Sequence, residues 1–481
     1  MDMKIDRREF LQVTAAGSLL CLRGSSILAL GANPQRSKLI SPGCRRSKVK
    51  VARIYMAGGG LWPKPNLDTN KEVRFYESQF AKLKKELSGV DFVVDELVTS
   101  AQQIGPLKDR LKQVDGILAI HFNIGVRPIL EEILRAGKPT VVFAVPYSGH
   151  GWVGFGGLQK QPLGAKMECL LTSDYRQLAF AIRPFRAIHH LREAKILNVT
   201  TRSFAGYAKD MKDKFGTEIK RIEREQMLDA YNAVSDRDAE EETDRWIKGA
   251  EKVVEPTREE IFKSCKLALA FEKVLDDEDA TVMTVDCYGT YAPATRKLPA
   301  FPCIGNIRLN NMGLGGICES DLPSAMTHII IQGLTGKPGF ISDPTVDESN
   351  NSIILAHCLG TTKMDGPDGP AAPYKIRTIM ERQAGAVTQV RMRIGQKVTQ
   401  ALLIGTDFIP YFTGEIIDAP VSLEHDRGCR TKITVKVDGD VTKLWKNWSN
   451  GLHRQTVYGD ITKELGFFCR FKEIKLVNEA V

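Results

Sequence analysis

Residues 310–343, NNMGLGGICESDLPSAMTHIIIQGLTGKPGFISD, sit where the character of the chain changes. The stretch opens on Gly313-Leu314-Gly315-Gly316, meets the carboxylate of Glu319, and then starts a helix. Asp321 is a good N-cap, and Pro323 suits a first helical turn. Leu322, Ala325, Met326, Ile329 and Ile330 recur at helical spacing and predict an apolar face. Gly333 and Gly336 punctuate the helix end, and Lys337-Pro338 forbids continuation. Residues 339–342 read as a short buried strand, with Asp343 at its end, locked by Pro344. Two carboxylates thus flank one helix and one strand, and a return of this kind can bring Glu319 and Asp343 together. The competing explanation is that Glu319 only caps and Asp343 only turns the chain, because Asp and Glu mostly sit solvated.

Upstream, VKVARIYM at 49–56 is a hydrophobic strand ending in Gly58-Gly59-Gly60-Leu61-Trp62-Pro63. This is not GxGxxG, and Trp62-Pro63 stands where a helix should begin, so the dinucleotide fingerprint fails. The loop is expected at the C-terminal edge of a parallel sheet, where ligands bind. Trp62 either stacks on a sugar face there or is buried structurally. Helices at 71–87, 101–113 and 126–136 alternate with strands at 91–97, 116–121 and 139–145, which predicts an open α/β sheet. Tyr147 to Trp152, including His150, follows and is expected to line the same cleft. A second α/β block runs from the strand at 195–199 through helices at 239–253 and 257–275 to a strand at 280–286. Beyond Asp343 come short β runs: SNNSIILAHCLG, PYKIRTIM, GAVTQVRMRIGQKVTQALLIG, FTGEII and RTKITVKV. They predict a small barrel or sandwich. The expected fold is α/β: two Rossmann-like open-sheet domains followed by a β-rich, barrel-like C-terminal domain. The expected divisions are a leader at 1–46, α/β domains at 47–190 and 191–343, and the β-rich domain at 344–481.

At 481 residues the chain is too long for one core, and 43% hydrophobic with 26% charged residues is ordinary for a soluble globular protein. The net charge of +9 is interleaved with acids, as in KFGTEIKRIEREQ, which is not a nucleic-acid stripe, so no nucleic-acid partner is expected. Ten cysteines without a CxxC pair exclude a zinc ribbon and a thioredoxin motif, and are too few here for a disulfide scaffold. Arg7-Arg8 before Phe10-Leu11 and VTAAGSLLCL resembles a twin-arginine export signal, predicting a periplasmic or exported protein. A basic leader on a cytoplasmic protein is the alternative. The apolar run is too short to span a bilayer, and no integral membrane segment is expected.

The run CESDLPSAMTHIIIQGLTGKPGFISD, followed by SIILAHC and a late GLHRQTVYGD, resembles the L-fucose/L-arabinose isomerase family. That family's pattern is a Glu in a Gly-rich turn, a helix, a carboxylate at a strand end, a strand ending in His, and a C-terminal His. Asp343 stands 24 residues after Glu319, a spacing that resembles the L-fucose isomerase side. His357 resembles the additional histidine of the L-arabinose isomerases. Where the family often has Glu-Gly-Asp, this chain has Glu319-Ser320-Asp321. The resemblance implies a homo-oligomer, trimer or hexamer, and a divalent metal, usually Mn²⁺. It implies Glu319, Asp343 and His453 as metal ligands, with Glu319 and Asp343 also the acid–base pair. His357 becomes a fourth ligand or a partner of the ligands, and Trp62, His150 and Tyr458 shape the sugar pocket. Two carboxylates and an imidazole suit octahedral Mn²⁺ or Mg²⁺ better than zinc. The expected reaction is aldose–ketose isomerisation of a sugar through a cis-enediol. Two rivals stand beside it: an exported sugar-binding protein without catalysis, and a lyase or epimerase on the same metal scaffold.

Overall fold

The computed structural model describes residues 47–287, 298–421 and 427–481, so the twin-arginine stretch lies outside the described residues. The first layer is a parallel sheet of β1 (Val49–Met56), β2 (Val90–Val98), β3 (Gly116–His121), β4 (Thr140–Ala144) and β5 (Met167–Leu171). Its order is β2-β1-β3-β4-β5. β3 and β4 are buried at every residue, which is why they read as unbroken apolar runs: both faces of a parallel sheet are covered. The sequence expectation stopped at β4, because MECLL in β5 is short and carries a charge. The helix expected over 101–113 begins instead as a 3₁₀ turn, Ala101–Leu107, and becomes α-helical only at Lys108–Lys112. Gly105-Pro106 interrupts it, since proline has no N–H to donate.

Next in the chain come β6 (Lys195–Val199), β7 (Glu218–Ile222), β8 (Lys252–Val253), β9 (Val282–Val285) and β10 (Gly315–Cys318). All but β8 form the second parallel sheet, in the order β10-β9-β6-β7. Gly316 is needed there for close approach: a Cβ would come within 2.2 Å of the Asn306 carbonyl oxygen, on the helix Cys303–Asn311. The helix Leu322–Thr335 follows β10. Asp321 caps it by accepting from the Ser324 amide at 2.9 Å, and Gly336 ends it at φ 73°. Gly333 lets it pack closely on the helix Arg183–Glu193, where a Cβ would meet Ala187 Cα at 2.5 Å.

The last part holds β11 (Phe340–Asp347), β12 (Ser352–His357), β13 (Tyr374–Ile379), β14 (Ala384–Val390), β15 (Lys397–Ala401), β16 (Phe408–Asp418), β17 (Thr431–Val437), β18 (Arg454–Tyr458) and β19 (Lys475–Asn478). Six of them run antiparallel as β15-β18-β11-β12-β17-β16, and β16 pairs back onto β15. The result is a closed barrel, as a β-rich C-terminal part predicted, and closure covers the strand edges. β19 adds to β16 in parallel, while β14, β13 and β8 make a separate small sheet. β11 starts at Phe340 and continues through Pro344, so Asp343 lies inside a barrel strand and not at its end. β18 pairs with β11 only as far as Ser342, so Pro344 stands where β11 is unpartnered on that side.

The C-terminal helix Thr462–Lys472 returns to the first layer. Phe467 packs on Phe180 and Phe471 on Phe185, each with ring centroids 5.9 Å apart, and Arg183 pairs with Glu464 at 2.7 Å. Among the described residues, no helix is long and apolar enough to cross a membrane.

Candidate active site

Glu319 leaves the C-terminal end of β10, the edge where ligands of open parallel sheets bind. Glu319 and Ser320 both have left-handed backbones, φ 59° and 58°, which non-glycine residues adopt only when their surroundings force it. The forcing contacts are visible. The Ser320 amide donates to the Val285 carbonyl at 3.2 Å, and its hydroxyl to Asn198 Oδ1 at 2.6 Å. The Arg202 guanidinium donates to the Glu319 carbonyl at 2.6 Å and pairs with Asp286 at 2.9 Å. Asp286 also accepts from the Thr200 hydroxyl at 2.9 Å. The ends of β6, β9 and β10 are thereby clamped around the turn that aims Glu319.

Barrel register supplies the other groups. Ser342 pairs with Arg454, so Asp343 falls beside His453, the residue before β18. On its other side Asp343 pairs with Ala356, which brings His357 close, and the rings of His357 and His453 meet edge to face at 5.1 Å. Asp321 does more than cap: its second oxygen takes a hydrogen bond from His453 Nδ1 at 3.2 Å. An ionised carboxylate only accepts, so Nδ1 carries a proton, and Nε2 is the nitrogen left for a metal once its own proton is displaced. That Nε2 lies 3.1 Å from Asp343 Oδ1 and 3.9 Å from Glu319 Oε1.

Glu319, His357 and His453 each offer a ligand atom within 4.8 Å of the others, a group able to hold a metal ion, and Asp343 Oδ1 stands beside His453. Asp343 Oδ1 is buried and makes no hydrogen bond, despite its nearness to Nε2. Neighbouring ligands of an octahedral ion bound at about 2.1 Å stand about 3 Å apart, close to the Asp343–His453 separation. The side chains of Glu319 and Asp343 are 28% and 31% exposed, enough for a small ligand to reach them. His357 is placed differently. Its Nδ1 accepts from the Leu359 amide at 3.1 Å, so the neutral ring carries its proton on Nε2, while the ring also places a nitrogen within 4.8 Å of ligand atoms of Glu319 and His453.

Charges and burial shift these groups in opposite directions. Burial raises the pKa of Glu319, and the nearby Asp343 and Asp321 add to it against His453. Burial also works against ionised Asp343, but His453 and His357 hold its carboxyl below the usual range. His453 is pushed up to about 10: burial opposes this, while Asp321, Asp343 and Glu319 outweigh it. Burial, with the charge of His453, lowers His357 to about 4. The ring of carboxylates therefore favours a positive charge at this point.

The pocket residues expected from sequence divide. Trp62 and His150 come together, ring centroids 5.0 Å apart, on loops at the C-terminal edge of the first sheet. They pair with each other and not with Glu319, Asp343 or His453. Gly58 and Gly60 before Trp62 serve close packing: a Cβ on Gly58 would meet the Gly125 backbone at 2.5 Å, and one on Gly60 the Ile124 side chain at 2.2 Å. Tyr458 is a correction. It lies five residues along β18 from His453, about 16 Å for an extended strand, and is buried with its hydroxyl accepting from the Arg393 amide at 3.1 Å. Sequence reasoning missed Asp321 as the partner of His453, and missed Asn198, Arg202 and Asp286 as the clamp. The Glu-x-Asp spacing placed Asp321 near the site, but its cap position already accounted for it.

No protein-family model matches the chain. A curated relative, sulfoquinovose isomerase from Clostridium sp. (strain MSTE9), is 25% identical over 303 residues, covering 58% of this chain. The chain matches 63% of that relative's length. Among solved structures, an ABC transporter solute-binding protein from Burkholderia multivorans is 9% identical. It covers 50% of this chain and 80% of its own, but the TM-score of 0.16 supports no structural argument.

Proposed function

We propose that this chain is a metal-dependent aldose–ketose isomerase acting on a sugar through a cis-enediol. The observation that carries the proposal is the place of His453 Nε2, 3.1 Å from Asp343 Oδ1 and 3.9 Å from Glu319 Oε1, while Nδ1 is bonded to Asp321. Similarity to a relative named sulfoquinovose isomerase supports the same reaction class. Mn²⁺ or Mg²⁺ held by these three residues would polarise the sugar carbonyl. One of Glu319 and Asp343 removes the proton from the carbon next to the carbonyl, and the other returns a proton to the neighbouring carbon or oxygen. His357 Nε2–H donates to a sugar oxygen and fixes its position. Asp321 holds the His453 ring, and the Arg202–Asp286 clamp holds the Glu319 turn.

The test supplies the reduced full-length chain with Mn²⁺ and a panel of aldoses that includes sulfoquinovose, and follows ketose formation. Conversion of one aldose is expected, and Glu319→Gln should lose bound metal and at least about 10²–10⁴ in rate. A wild-type protein that binds a sugar tightly and never converts it would favour a binding role instead.

A further inference from the structure

A second cluster of ligating atoms lies beside the first. Cys358 follows His357 at the end of β12, Cys429 precedes β17 by two residues, and Glu381 sits in the turn between β13 and β14. Because His357 pairs with Thr431, the two cysteines stand at adjacent strand ends. One ligand atom from each of Cys358, Glu381 and Cys429 lies within 4.8 Å of the others. The Cys429 sulfur is 3.6 Å from Glu381 Oε1 and 4.0 Å from Asp343 Oδ2.

We propose that Cys358, Cys429 and Glu381 form a site for a thiophilic divalent ion, Zn²⁺, separate from the Glu319–Asp343–His453 site. Three observations converge. In tetrahedral zinc, with bonds of about 2.3 Å to sulfur and 2.0–2.2 Å to oxygen, sulfur and oxygen stand about 3.6 Å apart, as Cys429 and Glu381 do. Two thiolates select a softer ion than the two carboxylates and one imidazole next door. Cys358 is buried at the end of β12 and Cys429 half-buried just before β17, so two paired strands fix the two sulfurs. Cys303, Ile379 and Val387 wall Cys358 off with apolar surface.

Asp343 links the sites. Oδ1 faces His453, and Oδ2 stands 4.0 Å from the Cys429 sulfur. The neighbouring group Cys287, Cys318 and Glu319 is the competitor, with its sulfurs 3.7 Å apart. Its single oxygen donor is Glu319, already directed at the first site.

Co²⁺ is the probe, added to reduced full-length protein already saturated with Mg²⁺. Wild type is expected to show thiolate-to-cobalt charge-transfer absorption that one equivalent of Zn²⁺ removes. Losing an outer partner of a metal ligand costs about 10–100-fold in affinity, so Cys429→Ser, which loses a ligand, should weaken binding at least about 100-fold. Cys358→Ser should do the same. Should that buried variant not fold, the half-buried Cys429 decides alone. Cys287→Ser should leave the absorption unchanged. Absence of the absorption in wild type, its survival in Cys429→Ser, or its loss in Cys287→Ser would each overturn the proposal.

Discussion

One carboxylate, Asp321, joins the helix to the candidate metal site. One oxygen accepts the Ser324 amide and the other accepts His453 Nδ1–H. The two functions separate by substitution. Asp321→Ala should lose about 1 kcal/mol of stability from the cap and about 10–100-fold in metal affinity through a loosened His453. Asp321→Asn should restore the cap and recover only part of the affinity, since asparagine caps as well but lacks the charge. Thermal unfolding and Mn²⁺ titration of both variants check this, and equal affinity in all three proteins would remove Asp321 from the site. The cap was legible in sequence because it is local, three residues from its partner. The contact with His453 spans 132 residues and depends on barrel register. Glu319, Asp343 and His453 were legible as donor types in a family pattern. The left-handed turn at Glu319 and Ser320 left no mark in residue type, since neither is glycine.

At the scale of elements, the helix Leu322–Thr335 was legible as one apolar face and proved buried on nearly every side. Five apolar residues at helical spacing describe a single stripe, whereas sheet, barrel and neighbouring helix enclose this one. Burying Ile329, Ile330 and Ile331 contributes about 1.5–3 kcal/mol each. Two of its polar residues find backbone partners: the Thr327 hydroxyl accepts the Leu403 amide at 2.8 Å, and His328 Nε2 donates to the Leu314 carbonyl at 3.3 Å. His328 Nδ1 is buried without a partner, and burial lowers the ring's pKa to about 4. Protonation would place an N–H where nothing accepts it. The unfolded chain binds that proton near pH 6.5, so the stabilisation is complete above 6.5 and is lost as pH falls toward about 4. The loss amounts to roughly 2–4 kcal/mol. Unfolding measured from pH 7 to 4.5 should show a shallower decline for His328→Gln than for wild type. Identical slopes would mean that the proton is accommodated in the fold.

Over the whole molecule, layer types were legible and their closure was not. Two open sheets followed from alternating apolar strands and amphipathic helices, and a β-rich end followed from short runs with polar breaks. Barrel closure needs β15 to meet β18 as well as its hairpin partner β16, and the pairing of Ala401 with Gln455 joins residues that local pattern does not relate. The same holds for the C-terminal helix docking on the first layer. Function depends on this long-range arrangement. Asp343 and His453 stand on neighbouring barrel strands, and Glu319 stands at the edge of the second sheet, so rigid elements hold the donors. Removing one carboxylate should therefore spare the fold. The most direct measurement follows deuterium incorporation at C1 of the ketose by NMR, with an aldose substrate, Mn²⁺ and full-length protein in D₂O, for wild type, Glu319→Gln and Asp343→Asn, alongside thermal unfolding. Wild type should incorporate deuterium at C1 of the ketose, and both variants should fall by at least about 10²-fold while still unfolding cooperatively. Wild-type exchange in Asp343→Asn, or ketose formed with no deuterium incorporated, would contradict proton transfer by these carboxylates.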